Sequence, residues 1–206
     1  MKLQISYNLP DLNKALEIAL QTAEFADIIG VGSLLLLKEG VKAIRIFKGA
    51  FPNKEIFVEA KIIEKAPDAI TMLAQAGATY ISVLAGAAHN TIKKAVETAK
   101  LFDAKIVLDL QDAHSIGQTS LDAKTIGIDM LIINRLPHKP EEALEIESEW
   151  HSARENTNLP IFITGKIDRS NIHQIIALKP QGIMVGAAIT RATSPKQEAY
   201  YIKSLL

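Results

Sequence analysis

The chain has 206 residues, 48% of them apolar, and equal numbers of acidic and basic side chains. Charge balance gives no basis for expecting nucleic acid or an anionic membrane as a partner. The absence of cysteine excludes disulfides, thiolate nucleophiles and thiolate metal sites. No apolar run approaches membrane-spanning length. The opening residues read as a strand, not as the basic and apolar regions of a signal peptide, so the expected location is cytoplasmic.

Strand and helix patterns alternate along the chain. Residues 3–7 predict a strand, and Pro10-Asp11 opens a helix to about 25, with Leu12, Ala15, Leu16 and Ala19 on one face. A strand at 27–31 and a helix at 38–48 follow, then a third strand at 55–61. Pro67 fits a first helical turn, and Gly77 ends that helix just after residue 76. Further strands fall at 80–84, 105–110, 130–133, 160–164 and 182–185, with helices at 90–101, 115–125, 140–156, 169–178 and 195–206.

Short strand entries recur roughly every 50 residues: Ala26-Asp27-Ile28-Ile29, Ala78-Thr79-Tyr80-Ile81, Ile128-Asp129-Met130-Leu131 and Gln181-Gly182-Ile183-Met184. That period spans two βα units. Eight units in one uninterrupted domain, residues 1–206, predict an α/β fold of the (β/α)₈ TIM-barrel class. The alternative, an open doubly wound sheet, lacks a Gly-rich turn after the first strand, where Asn8-Leu9-Pro10 stands.

One strand ends in charge: Ile56-Phe57-Val58-Glu59-Ala60-Lys61-Ile62-Ile63-Glu64. Buried strands seldom carry unpaired charge, because desolvating it is costly. The Glu59-x-Lys61 spacing places both side chains on one face, with Glu64 in the loop beyond. The competing interpretation is a structural ion pair at a rim. Barrel enzymes place their chemistry at the C-terminal strand ends. Here those ends carry Asn8, Gly30-Val31-Gly32, Glu59 with Lys61, Ala85-Gly86, Asp109, Asn134-Arg135, Thr164-Gly165-Lys166 and Gly186-Ala187-Ala188. Gly165 and Gly186 would let backbone N–H groups approach a phosphate, with a short helix beginning near Ala187 and a cation from Lys166 or Arg191. Both glycines also suit ordinary turns. Lys61, between Glu59 and Asp109, would stay charged and could stabilise an enediolate oxyanion.

The five histidines fall in loops and helices without metal-ligand spacing and read as surface residues. Trp150 reads as the residue packing its helix down, with Arg154 and Glu155 on the solvated face.

The whole chain resembles the 3-hexulose-6-phosphate synthases and 3-keto-L-gulonate-6-phosphate decarboxylases of the orotidine 5′-monophosphate decarboxylase superfamily. The resemblance rests on Met1-Lys2-Leu3-Gln4, Asp27-Ile28-Ile29 with Gly32, Glu39-Gly40, Ala76-Gly77-Ala78, Ser82-Val83-Leu84, Thr91-Ile92, Val107-Leu108-Asp109 and Val185-Gly186-Ala187-Ala188-Ile189-Thr190. The signature Asp-x-Lys-x-x-Asp reads Glu59-Ala60-Lys61-Ile62-Ile63-Glu64.

The resemblance implies a homodimeric barrel binding magnesium and a phosphorylated sugar. Glu59 would be a metal ligand, Lys61 and Asp109 catalytic, and Glu64 would reach the neighbouring subunit's site. Asn8, Arg135, Gly165, Lys166, Gly186, Ala187 and Arg191 would bind substrate. The implied reaction joins ribulose 5-phosphate to formaldehyde through a metal-stabilised enediolate, or forms that enediolate by decarboxylation. The chain departs from the family where Asn8 replaces an aspartate, Gly30 a metal-binding glutamate, Asn134 a proton-carrying histidine and Lys166 a glycine. The corresponding alternative is a phosphosugar-binding protein of altered specificity, or one without catalysis. A phosphosugar isomerase or epimerase would need proton carriers that this pattern does not place.

Overall fold

A computed structural model describes residues 1–134 and 143–206, with the side chains of 143–145 excluded. Eight parallel strands form a closed barrel in chain order: β1 (Lys2–Tyr7), β2 (Ile28–Val31), β3 (Glu55–Ile62), β4 (Tyr80–Leu84), β5 (Lys105–Asp109), β6 (Met130–Asn134), β7 (Ile161–Thr164) and β8 (Gly182–Val185). Closure runs through β1 and β8, where Lys2 pairs with Gly182 and Ile5 with Val185. The expected (β/α)₈ architecture is present.

Strand alternation sorts the core into two shells. Leu3, Ile5 and Tyr7 face outward and pack with the helices. Ile28, Phe57, Tyr80, Val107, Met130, Ile132, Phe162 and Met184 form a separate interior cluster. On β1 the alternate positions are instead polar, since Gln4 and Ser6 are both buried.

The sequence repeat has a concrete basis at the N-terminal end of the barrel. Asp27, Thr79, Asp129 and Gln181 each precede an even-numbered strand. Their side chains accept hydrogen bonds from the backbone N–H of Leu3, Ile56, Ile106 and Ile161 at 2.7, 3.1, 2.8 and 2.8 Å. Their own N–H groups donate back to the carbonyls of the same four residues. One polar residue at each entry thus ties an even strand to its predecessor and satisfies two strand-end groups. In the fourth copy the working residue is Gln181, one position earlier than the tetrapeptide pattern suggests. Lys203 also reaches Asp27 at 2.5 Å, pinning the C-terminal helix to this end.

Ten helices are present among the described residues: α1 (Leu12–Thr22), α2 (Ser33–Glu39), α3 (Val41–Ala50), α4 (Ala66–Gln75), α5 (His89–Lys100), α6 (Ile116–Ile126), α7 (Ala143–Arg154), α8 (Ile172–Ala177), α9 (Ala187–Thr190) and α10 (Pro195–Ser204). The helix expected at 38–48 is two helices, because Gly40 adopts φ +59° and breaks the run. Helix α8 starts later than expected, since Asp168 holds a turn by accepting from Ser170 N–H at 2.8 Å. The start of the helix expected at 140 lies outside the described residues.

Trp150 is buried as anticipated, but Arg154 is not on a solvated face. Its guanidinium turns inward and donates to the carbonyls of Thr157 and Leu159 at 2.7 and 2.6 Å, and burial lowers its proton affinity. The chain reversal after α7 leaves those carbonyls without strand partners, and Arg154 satisfies them.

Candidate active site in the barrel mouth

The C-terminal ends of the strands enclose a cavity of about 590 Å³. Glu59 and Lys61 both line it, as their i, i+2 spacing predicts, although β3 is irregular beyond Val58. The β3–β4 register runs from Val58↔Ile81 to Ile62↔Val83, four residues on β3 against two on β4. Within this bulge Lys61 has φ +47°, and its N–H leaves the ladder to bond Ser82 Oγ at 2.9 Å. A non-glycine residue held there costs roughly 1–2 kcal/mol. The strain sits where β3 turns a lysine into the mouth.

Lys61 Nζ stands 3.5 Å from Asp109 Oδ2 and donates to Gln111 Oε1 at 2.6 Å. The Asp109 side chain is only 3% exposed. Its Oδ2 also accepts from Asn134 Nδ2 at 3.2 Å, and its Oδ1 accepts from Gln111 N–H at 3.0 Å. Asn134 in turn donates to Gln111 Oε1 at 3.3 Å. The result is a connected network of a lysine, a buried carboxylate and two side-chain amides. Gln111 is the member that sequence reasoning missed. It lies two residues beyond Asp109, in a loop without periodicity, and nothing in its surroundings marks it.

Glu59 behaves differently. Burial raises its proton affinity, and the nearby Asp109 adds to this. The Ser6 hydroxyl, Lys61 and the Ser33 backbone N–H oppose it, but the net shift is upward. Glu59 and Asp109 thus sit in different settings: Asp109 accepts from the Asn134 amide and the Gln111 N–H, whereas burial favours a proton on Glu59.

Asn8 lines the cavity, yet its Oδ1 accepts from Leu34 N–H at 2.8 Å and so serves the first turn of α2. At the other end Gly165, Lys166, Gly186, Ala187 and Arg191 line the same cavity. Gly165 takes φ +117° and Lys166 φ +44°, so this loop curls tightly over the mouth. The short helix expected at Ala187 is α9, with Gly186 at its cap position.

Glu64 is exposed in the loop after β3 and does not line this chain's cavity. Arg135 lies outside the described residues, as does His138. The other four histidines do not line the cavity. Among the described residues no three His, Asp or Glu side chains converge as a metal site. None of the described helices is long and apolar enough to cross a membrane.

Comparisons with known proteins bear on the family and the fold. The model for the orotidine 5′-phosphate decarboxylase / HUMPS family matches residues 1–202. The chain belongs to this family. It is 27% identical over 207 residues to 3-hexulose-6-phosphate synthase of Bacillus subtilis (strain 168), covering 100% of this chain and 99% of that one. Against the enzyme of the same name from Mycobacterium gastri the identity is 25%, with both chains fully covered. The crystal structure of 3-hexulose-6-phosphate synthase from Salmonella typhimurium superposes with a TM-score of 0.91 at 28% identity, over 100% of this chain and 98% of that one. A 3-keto-L-gulonate-6-phosphate decarboxylase from Vibrio cholerae shares the fold with a TM-score of 0.84 at 23% identity, over 98% and 95% of the two chains.

Proposed function

We propose that this member of the family binds a phosphorylated ketose in the barrel mouth and acts as a 3-hexulose-6-phosphate-synthase-like aldehyde lyase. The observation that carries the reading is one cavity holding the Lys61–Asp109 pair at one end and the Gly165, Gly186 and Arg191 cluster at the other. The phosphate lies at the glycine end, where small residues leave room for backbone donors and Arg191 supplies charge. The carbonyl end of the ketose then meets Lys61.

In the proposed reaction a proton leaves C1 of ribulose 5-phosphate, and the resulting enediolate attacks the formaldehyde carbon. A carbon–carbon bond forms, and the former formaldehyde oxygen takes up a proton. Lys61 stabilises the enediolate charge, and Asp109, 3.5 Å away, holds the ammonium in position. Asn134 cannot carry a proton, so this step needs another residue. Glu59 is the lining carboxyl with raised proton affinity and is assigned the proton. Glu64 and Ile63, both exposed after β3, are assigned to a homodimer contact that takes Glu64 toward the neighbouring mouth.

The test is incubation of the purified protein with ribulose 5-phosphate and formaldehyde. The expected result is formaldehyde consumption with a hexulose phosphate as product. Asn134, standing where the family has a proton-carrying histidine, favours a second reading, a binding protein without turnover. That protein would be thermally stabilised by ribulose 5-phosphate, yet even stoichiometric amounts would form no product.

A further inference from the structure

We infer that this mouth takes its phosphorylated ketose without a divalent cation, because the position that would supply a second metal carboxylate is closed by packing between β1 and β2. The inference rests on the phosphosugar reading and says how that site works. Gly30 lies on β2 opposite Ser6 of β1. A Cβ built on Gly30 would stand 2.9 Å from Gln4 Nε2, 3.0 Å from Ser6 Oγ and 3.1 Å from Ser6 Cα. Gln4 is 0% and Ser6 6% exposed, and the two side chains bond each other at 3.3 Å. The space a longer side chain would need is therefore filled, and part of what fills it is backbone, which does not yield cheaply.

The remaining donors do not make up the deficit. Magnesium requires near-octahedral oxygen ligation at short distance. Asp109 already has both oxygens on Lys61, Asn134 and the Gln111 N–H. Glu59 faces the Ser33 N–H, which is a donor, and the Ser6 hydroxyl, whose oxygen already accepts from Gln4 Nε2 at 3.3 Å. A cation also stands at this end, Lys61 Nζ at 3.5 Å from Asp109 Oδ2, and a divalent ion added beside it would be repelled. Recognition of the sugar therefore falls to hydrogen-bond donors: the Lys61 ammonium, the Asn134 amide and the Ser6 and Ser82 hydroxyls, all lining the cavity.

The experiment is calorimetric titration of the full chain with ribulose 5-phosphate, once in excess EDTA and once in millimolar magnesium chloride, with magnesium chloride alone as a third titration. The dissociation constant should differ by less than about threefold between the two buffers, with no saturable heat from magnesium alone. Tightening by about tenfold or more in magnesium, or a saturable magnesium heat, would overturn the inference. Absence of sugar binding in both buffers would instead overturn the phosphosugar reading, and the magnesium titration would still decide the closure. Gly30→Glu combined with Gln4→Ala and Ser6→Ala, which together remove the Nε2 and Oγ contacts, should gain magnesium binding that Gly30→Glu alone does not. Magnesium binding by the single variant at unchanged thermal stability would contradict the packing argument.

Discussion

At the β7–β8 end the cavity is lined in part by the backbone of Gly165, Gly186, Ala187 and Ala188, whereas at the β1–β3 end it is lined by side chains in contact with one another. The two ends respond differently to sequence change. Backbone donors survive most substitutions provided the neighbouring residues stay small, and here Gly165, Gly186 and Ala187 do. A network of side chains changes as a unit. With Gly30 small, Ser6 and Gln4 fill the space beside it, Glu59 lies against Ser6, and Lys61 balances two carboxyl groups. The phosphate end can keep a ligand class while the other end changes how that ligand is held and activated.

The sharpest way to break this comparison is at Lys61. Lys61→Met should lower turnover on the order of 10³-fold with a smaller effect on KM, as expected for charge stabilisation felt chiefly in the transition state. Steady-state kinetics will show this, and an unchanged kcat would move the chemistry elsewhere. Arg191→Ala should act in the opposite sense, weakening ribulose 5-phosphate binding by roughly 10- to 100-fold, as for the loss of a charge-assisted phosphate contact, with little change in kcat.

Glu59→Gln separates function from stability. Turnover should fall, whereas stability should rise at neutral pH. The folded Glu59 holds its proton more tightly than the unfolded chain does, so the parent loses stability as pH rises through the raised value. The variant's advantage in Tm should therefore be present at neutral pH and vanish below the ordinary carboxylate range. An advantage that persists in acid would show that ionisation is not its source.

Asp27→Asn, at the far end of the barrel, is the mildest change. Although burial alone pushes the Asp27 carboxyl up, Lys203 and the Leu3 N–H hold it below its ordinary value. Its contribution is present above the unfolded-state value and is lost as pH falls through the folded one. The pair is about a third exposed, and water screens it. A cost of about 1 kcal/mol at neutral pH, disappearing in acid, is expected from denaturant unfolding.

How much of this was legible in the sequence differs by level. The barrel followed from βα alternation, and the four strand-entry residues could be glimpsed as a repeat because each performs the same reciprocal bonding. Lys61, Glu59 and Asp109 stood out as charges at the ends of apolar runs. The bulge that carries Lys61 at positive φ did not, because a two-residue register shift leaves no trace in hydrophobic periodicity. Gln111 and the inward Arg154 were invisible for a related reason: each acts through a partner distant in sequence or through a backbone carbonyl, and neither leaves a pattern. The closure at Gly30 needed the Gln4 and Ser6 side chains in place, since a glycine alone does not say whether the space beside it is open.

The most direct test of a phosphosugar site organised by Lys61 is titration of ribulose 5-phosphate into the parent protein and into Lys61→Met, both in excess EDTA. The account predicts saturable binding to the parent without metal, and binding to the variant weakened by no more than about tenfold. Absence of binding to the parent until magnesium is added would contradict it.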